Sequence, residues 1–154
     1  MTSERLPDAA RAHWISTLSL ARLGQLESFW ESLSPKPEYR WLRPAESGLV
    51  MLRGRAGGNG QAFNFGEMTM TRAAVVIDGP QPITGFGYVA GRNARHAELA
   101  ALFDALLQDE ARRPILLHDL IAPIEVARKQ AQAARSAAVA ATRVDFTTMV
   151  RGDA

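Results

Sequence analysis

The stretch Gly85–Leu107, GFGYVAGRNARHAELAALFDALL, constrains this chain most, because its period changes once and sharply. Phe86, Tyr88 and Ala90 alternate with Gly85, Gly87 and Val89, the two-residue period of an extended segment. Gly91-Arg92-Asn93 interrupts the run, and Asn93 suits the N-cap of a helix. From Ala94 onward, Leu99, Leu102, Phe103 and Leu106 recur at helical spacing and make one apolar stripe. A strand, a tight turn and a central helix over 93–109 follow. The first helical turn sets Arg92, Arg95, His96 and Glu98 beside the strand end, which makes this corner the expected functional edge.

The flanking sequence supplies the other elements. Ala9 to Leu20 places Trp14, Ile15 and Leu18 on one face of an amphipathic helix, with Ala21 following. Leu23 to Leu33 does the same with Leu26, Phe29, Trp30 and Leu33, and Ser34-Pro35-Lys36-Pro37 ends it. The helical N-terminal part is 1–35. A β meander is expected over 38–91: a short strand Tyr39–Arg43, a turn at Pro44-Ala45-Glu46-Ser47, and a strand Leu49–Arg55. Leu49–Arg55 has apolar residues on both faces, which predicts a central position. Gly57-Gly58-Asn59-Gly60 is a turn, Phe63 and Phe65 alternate with polar or small neighbours, and Gly66 marks a bulge before the strand Met68–Ile77. The short connections favour antiparallel neighbours.

After the central helix, Arg113-Pro114 breaks the chain and Ile115–Ile121 is a short helix or turn. Pro123 opens another helix reaching about Ala141. Its stripe of Ala127, Ala131, Ala134 and Ala138 offers little apolar area, so the segment reads as a helical arm suited to close packing on a partner or on its own domain. The tail, with Val144 and Phe146, has strand-like composition and could add to a sheet edge. The C-terminal arm and tail cover 123–154. The expected fold is α+β: one domain over 1–154, an antiparallel meander packed with helices plus an Ala-rich C-terminal arm.

Composition narrows the chemistry. A chain of 154 residues with 47% hydrophobic and 22% charged residues is large enough for a core of its own. It has no apolar run near the roughly 20 residues of a membrane helix, and its opening residues lack the apolar core of a signal peptide, so a cytoplasmic location is expected. Cysteine is absent, which excludes disulfides, thiolate metal sites and thiol nucleophiles. His13, His96 and His118 are too scattered to suggest a metal site, and none is expected. Lys36 and Lys129 are the only lysines, and every other cation is arginine, the side chain suited to bidentate pairing with carboxylate or phosphate. Net charge is +2, too little by itself to argue for nucleic acid.

The motifs are mostly negative. Gly85-Phe-Gly87-Tyr-Val-Ala90 matches a dinucleotide-binding pattern formally, but its glycines fall inside a strand rather than in the turn where a phosphate would sit. Gly57–Gly60 lacks the lysine and hydroxyl of a phosphate loop. His96-Ala97-Glu98 lacks the cysteines of a zinc deaminase. Glu46, Glu98 and Asp104 are candidate acids or bases. Arg53 and Arg55 share a strand face, Arg72 lies mid-strand, and Arg92 and Arg95 sit at the strand-to-helix turn. Converged, they would bind a polyanion or an acidic partner; dispersed, they are a solvated surface.

Several runs carry a family resemblance. Arg43-Pro-Ala-Glu-Ser-Gly-Leu-Val50, Gly57–Gly60 through Met68–Val75, Gly91-Arg92 with His96-Ala-Glu98, Asp104-Ala-Leu106, and Arg143-Val-Asp-Phe146 with Thr148–Asp153 together resemble the G subunit of the carbon–phosphorus lyase core complex, the PhnG family. Arg11 with His13-Trp14 fits as well. The resemblance implies a subunit of alpha-D-ribose 1-methylphosphonate 5-triphosphate synthase. That enzyme joins the ribose triphosphate of ATP to methylphosphonate with release of adenine. The implied partners are the H, I and J subunits and the ATPase-like L protein. Iron–sulfur and radical-SAM chemistry would reside on another subunit, and this chain alone would bind no cofactor. On this reading Arg53, Arg55, Arg72, Arg92, Arg95, His96 and Glu98 contact phosphate, substrate or an interface, and Ala127, Ala131, Ala134, Ala138, Val144 and Phe146 meet partners. The alternative is an Arg-rich binding module for nucleic acid or an acidic protein, without catalysis.

Overall fold

In the computed structural model, which describes residues 8–142, three strands pair antiparallel in chain order. They are β1 (Tyr39–Arg55), β2 (Ala62–Ile77) and β3 (Ile83–Ala90). Helices α1 (Asp8–Ser19) and α2 (Leu23–Ser32) precede the sheet. Helix α3 (Ala94–Gln108) follows it, then α4 (Arg113–Leu116), a π turn (Leu117–Ile121) and α5 (Ala122–Ala141). The class is α+β with a C-terminal helix, as expected. Val144 and Phe146 lie outside the described residues.

Layer stacking is decided by the glycines of β3. A Cβ on Gly85 would stand 2.1 Å from the Ala101 carbonyl oxygen, and one on Gly87 2.0 Å from that of Ala97. Glycine here lets the helix backbone lie directly on the strand. The helix answers with Ala97, Ala101 and Ala105, one residue per turn on the facing side. Its other side buries Leu99, Leu102, Phe103 and Leu106 under α1 and α2, so α3 is enclosed all round rather than along a single stripe. Full burial of a side chain such as Phe103 contributes about 2–3 kcal/mol. Phe29 and Trp30 meet the Phe103 ring edge to face at 5.8 and 6.1 Å. Trp14, Leu18 and Leu26 complete the core.

Two expectations about β1 need correcting. Pro44–Ser47 is no turn: β1 runs through it, with register shifts between Trp41 and Arg43 and between Arg43 and Glu46. These bulges absorb Pro44, and an edge strand tolerates its missing N–H. Nor does Leu49–Arg55 lie centrally. Among the described residues β3 pairs only with Met70–Ile77, so Leu49–Arg55 and Ala62–Thr69 pair there solely with each other and project beyond the body. Leu49 is 66% exposed and Phe65 74%. Apolar residues on both faces meant a bare ribbon, not a buried strand. The bulge expected at Gly66 is present, with Phe65 as the extra residue between Asn64 and Gly66.

Helical backbone continues through the π turn into α5, so Pro123 sits in its first turn without a break before it. Pro123 cannot donate to the carbonyl one turn back, and the wider turn accommodates that loss. Ala127 is half-buried, whereas Ala131, Ala134 and Ala138 are exposed along the arm.

Candidate functional site

The turn from β3 into α3 is held by one hydroxyl. Gly91 takes φ +85°, and its N–H reaches the Thr69 carbonyl at 2.8 Å. Buried Thr71 donates its single proton to the Gly91 carbonyl at 2.6 Å and accepts from the Asn93 N–H at 3.1 Å. With that proton committed, Ser47 is the donor in the 2.8 Å contact between the two hydroxyls. Asn93 caps α3 as expected, its Oδ1 accepting from the His96 N–H at 3.0 Å. The His96 ring is turned inward, 6% exposed, and its Nε2 donates to the Leu18 carbonyl at 2.8 Å. It ties the end of α1 to the start of α3. Arg95 and Glu98 pair with each other at 3.6 Å, and Arg92 is exposed.

A second group occupies the outer face of the sheet. Because glycine faces α3 at positions 85 and 87, Phe86 and Tyr88 point the other way, opposite Ala74 and Arg72 on β2. The Glu46 Oε1 accepts from Arg72 Nε at 2.8 Å and from Arg43 Nη1 at 3.1 Å. Leu42, Arg43, Arg72, Ala74, Phe86 and Tyr88 line a depression of about 300 Å³. A neighbouring shallow hollow of about 350 Å³ shares the two rings and is bordered by Arg11, Ala12 and Ile15 of α1. The Arg11 guanidinium lies 5.6 Å from the Phe86 ring centre.

Arg11 is fixed by Asp104. Its Nη2 and Nε donate to the two carboxylate oxygens at 2.8 and 3.2 Å. Trp14 Nε1 donates to Oδ1 at 2.8 Å and the Phe86 N–H to Oδ2 at 2.9 Å. Asp104 is fully buried with both oxygens engaged, so it works as a structural knot that closes the outer edge of β3. Gln108 completes that closure by donating to the Thr84 carbonyl at 2.8 Å.

Arg53 and Arg55 stand elsewhere, at the hairpin tip opposite Asn64 and Ala62. Ten residues of β2 separate Ala62 from Arg72, roughly 33 Å at the rise of a strand. The arginines singled out in sequence therefore fall in three places: the ribbon tip, the outer sheet face and the start of α3. Sequence reasoning passed over Phe86 and Tyr88 as site residues and gave Arg11 no site role. The alternation of glycine with aromatic residues was the available signal, since one face of that strand had to be pressed against backbone and the other left bare. Among the described residues no group of three His, Asp or Glu side chains is placed to hold a metal ion. No described helix is long and apolar enough to cross a membrane. What the outer face offers beside two exposed rings is a pair of guanidinium groups, Arg43 and Arg72, sharing the one carboxylate of Glu46, so one positive charge remains uncompensated there.

Comparison with known proteins gives these features a context. The family model described as phosphonate metabolism protein PhnG matches residues 9–152. The alpha-D-ribose 1-methylphosphonate 5-triphosphate synthase subunit PhnG of Rhizobium meliloti (strain 1021) is 43% identical over 155 residues, spanning 99% of this chain and 96% of its own length.

Proposed function

The chain belongs to the PhnG family of phosphonate metabolism proteins, and from that membership we propose that it is one subunit of a ribose 1-methylphosphonate 5-triphosphate synthase. The near full-length similarity to a protein named as a subunit of that enzyme carries the reading. The dispersal of the candidate side chains over three places supports a share in a site completed by other chains.

The reaction proposed for the assembly forms a bond from a phosphonate oxygen to the anomeric carbon of ATP and breaks the bond from that carbon to adenine. The departing base takes up a proton. The charge on triphosphate and phosphonate needs neutralising, and positive charge develops at the sugar carbon, as in glycoside cleavage. We assign contact with phosphate groups to exposed Arg92 and to Arg72, whose exposed guanidinium shares the single Glu46 carboxylate with Arg43. Arg95 and Glu98, already paired, hold the corner between them. His96 positions α3 from within. The partners are the H, I and J subunits and the ATPase-like L protein, in the cytoplasm, with carbon–phosphorus cleavage on another subunit.

Adenine release from ATP and methylphosphonate tests this. The purified chain alone should give none, the mixed subunits should turn over, and omitting this chain should abolish the activity. Turnover by the isolated chain would overturn the division of labour.

A further inference from the structure

The outer half of the β1–β2 hairpin is the part that this molecule's own packing leaves least finished. A two-stranded ribbon by itself is marginally stable in water. This one nonetheless presents Leu49 at 66%, Met51 at 50% and Phe65 at 74% exposure, with Phe63 and Phe65 edge to face at 6.4 Å. Near the body, Pro44 and two bulges interrupt the outer edge of β1. From Glu46 to Leu52 the pairing runs without a shift, and among the described residues no strand lies alongside the outer edge, which leaves a straight row of backbone groups unpaired by them.

Charge indicates what covers it. Between Arg53 and Gly66 the sequence holds two arginines and no Asp or Glu. Arg53 makes no ion pair among the described residues, and Arg55 donates to the Gly60 carbonyl at 3.2 Å. Two copies meeting through these tips would set arginine against arginine. We propose that the ribbon inserts into an apolar-floored groove rimmed by carboxylates on a different subunit of the same assembly. Phe63 and Phe65 enter the floor, and Arg53 and Arg55 meet the rim. The inference rests on the subunit reading above and names the element through which it operates.

Amide hydrogen exchange on the full chain, alone and mixed with the other synthase subunits, tests it. Amides of 49–55 and 62–69 should exchange at least about tenfold more slowly in the assembly. Phe65→Ser and the double variant R53E/R55E alter exposed side chains, so their far-UV spectra and melting temperatures should match the parent. Incorporation of each should fall by about tenfold or more. If the parent assembles while the ribbon stays unprotected, this inference is overturned and the subunit reading stands. If the parent does not assemble at all, the subunit reading fails and takes the inference with it. A ribbon-dependent dimer of the isolated chain in sedimentation, or binding of single-stranded RNA abolished by R53E/R55E, would also overturn it.

Discussion

Substituting Gly87 by alanine would add a single methyl group, and the space it needs is taken by the Ala97 carbonyl, 2.0 Å from the ideal Cβ. Backbone cannot rotate aside as a side chain can, so α3 must lift from the sheet. Gly87→Ala is expected to cost about 3 kcal/mol or more in urea unfolding, with the m-value retained. Gly48→Ala, with nothing within 4 Å, should change stability by less than about 1 kcal/mol. Equal effects at the two positions would refute the close-approach account. Asp104 supplies the matching electrostatic case. Asp104→Asn keeps the shape but leaves the Arg11 guanidinium without its carboxylate, and about 3 kcal/mol should be lost. Glu46→Gln, at an exposed pair network, should cost under about 1 kcal/mol.

Elements differ in how far their own sequence accounts for them. α3 is buried on every side from Leu99 to Leu107, with Asp104 the one charged residue enclosed there. α5 is rich in alanine, helical by propensity, and exposed from Arg128 onward. Among the described residues its outer turns are exposed throughout, so little of their loss should reach the core. The double variant Ala131→Gly and Ala134→Gly should therefore weaken the far-UV helix signal while the melting temperature of the isolated chain stays within about 2 °C. A drop of several degrees would mean that the arm packs on its own body. β1 is the opposite case, where local pattern misleads. Apolar residues on both faces indicate a buried strand only if another layer exists to cover each face, and α3 reaches only as far as β3 does.

The described residues thus form a sealed body with two projections. Side chains of α1 and α3 close the β3 edge, α3 fills the inner face of the sheet, and the ribbon and α5 extend beyond. Exchange in the isolated chain should follow this division. Amides of Val75–Ile77 should exchange only through global opening, and those of 62–68, on the same strand, at least about a hundredfold faster. Uniform protection along β2 would show that the ribbon shares the stability of the body. The same division separates the candidate side chains among the described residues. The arginines singled out in the sequence sit on the ribbon tip, the outer face and the helix corner, apart from one another.

Much of this was legible in the residues. The periods of α1, α2 and α3, the Asn93 cap and the antiparallel meander all follow from local spacing, because helix and strand leave their repeat in the order of side chains. Spacing also placed the glycines of 85–90 inside a strand rather than in a phosphate loop. Tertiary structure decided the rest. Only the packed molecule shows that Pro44 lies in a bulge, that β1 is bare beyond Gly48, that His96 and Asp104 are bound up in holding helices, and that the chosen arginines stand apart. Burial and convergence depend on where separate segments meet in space, and no local repeat encodes that.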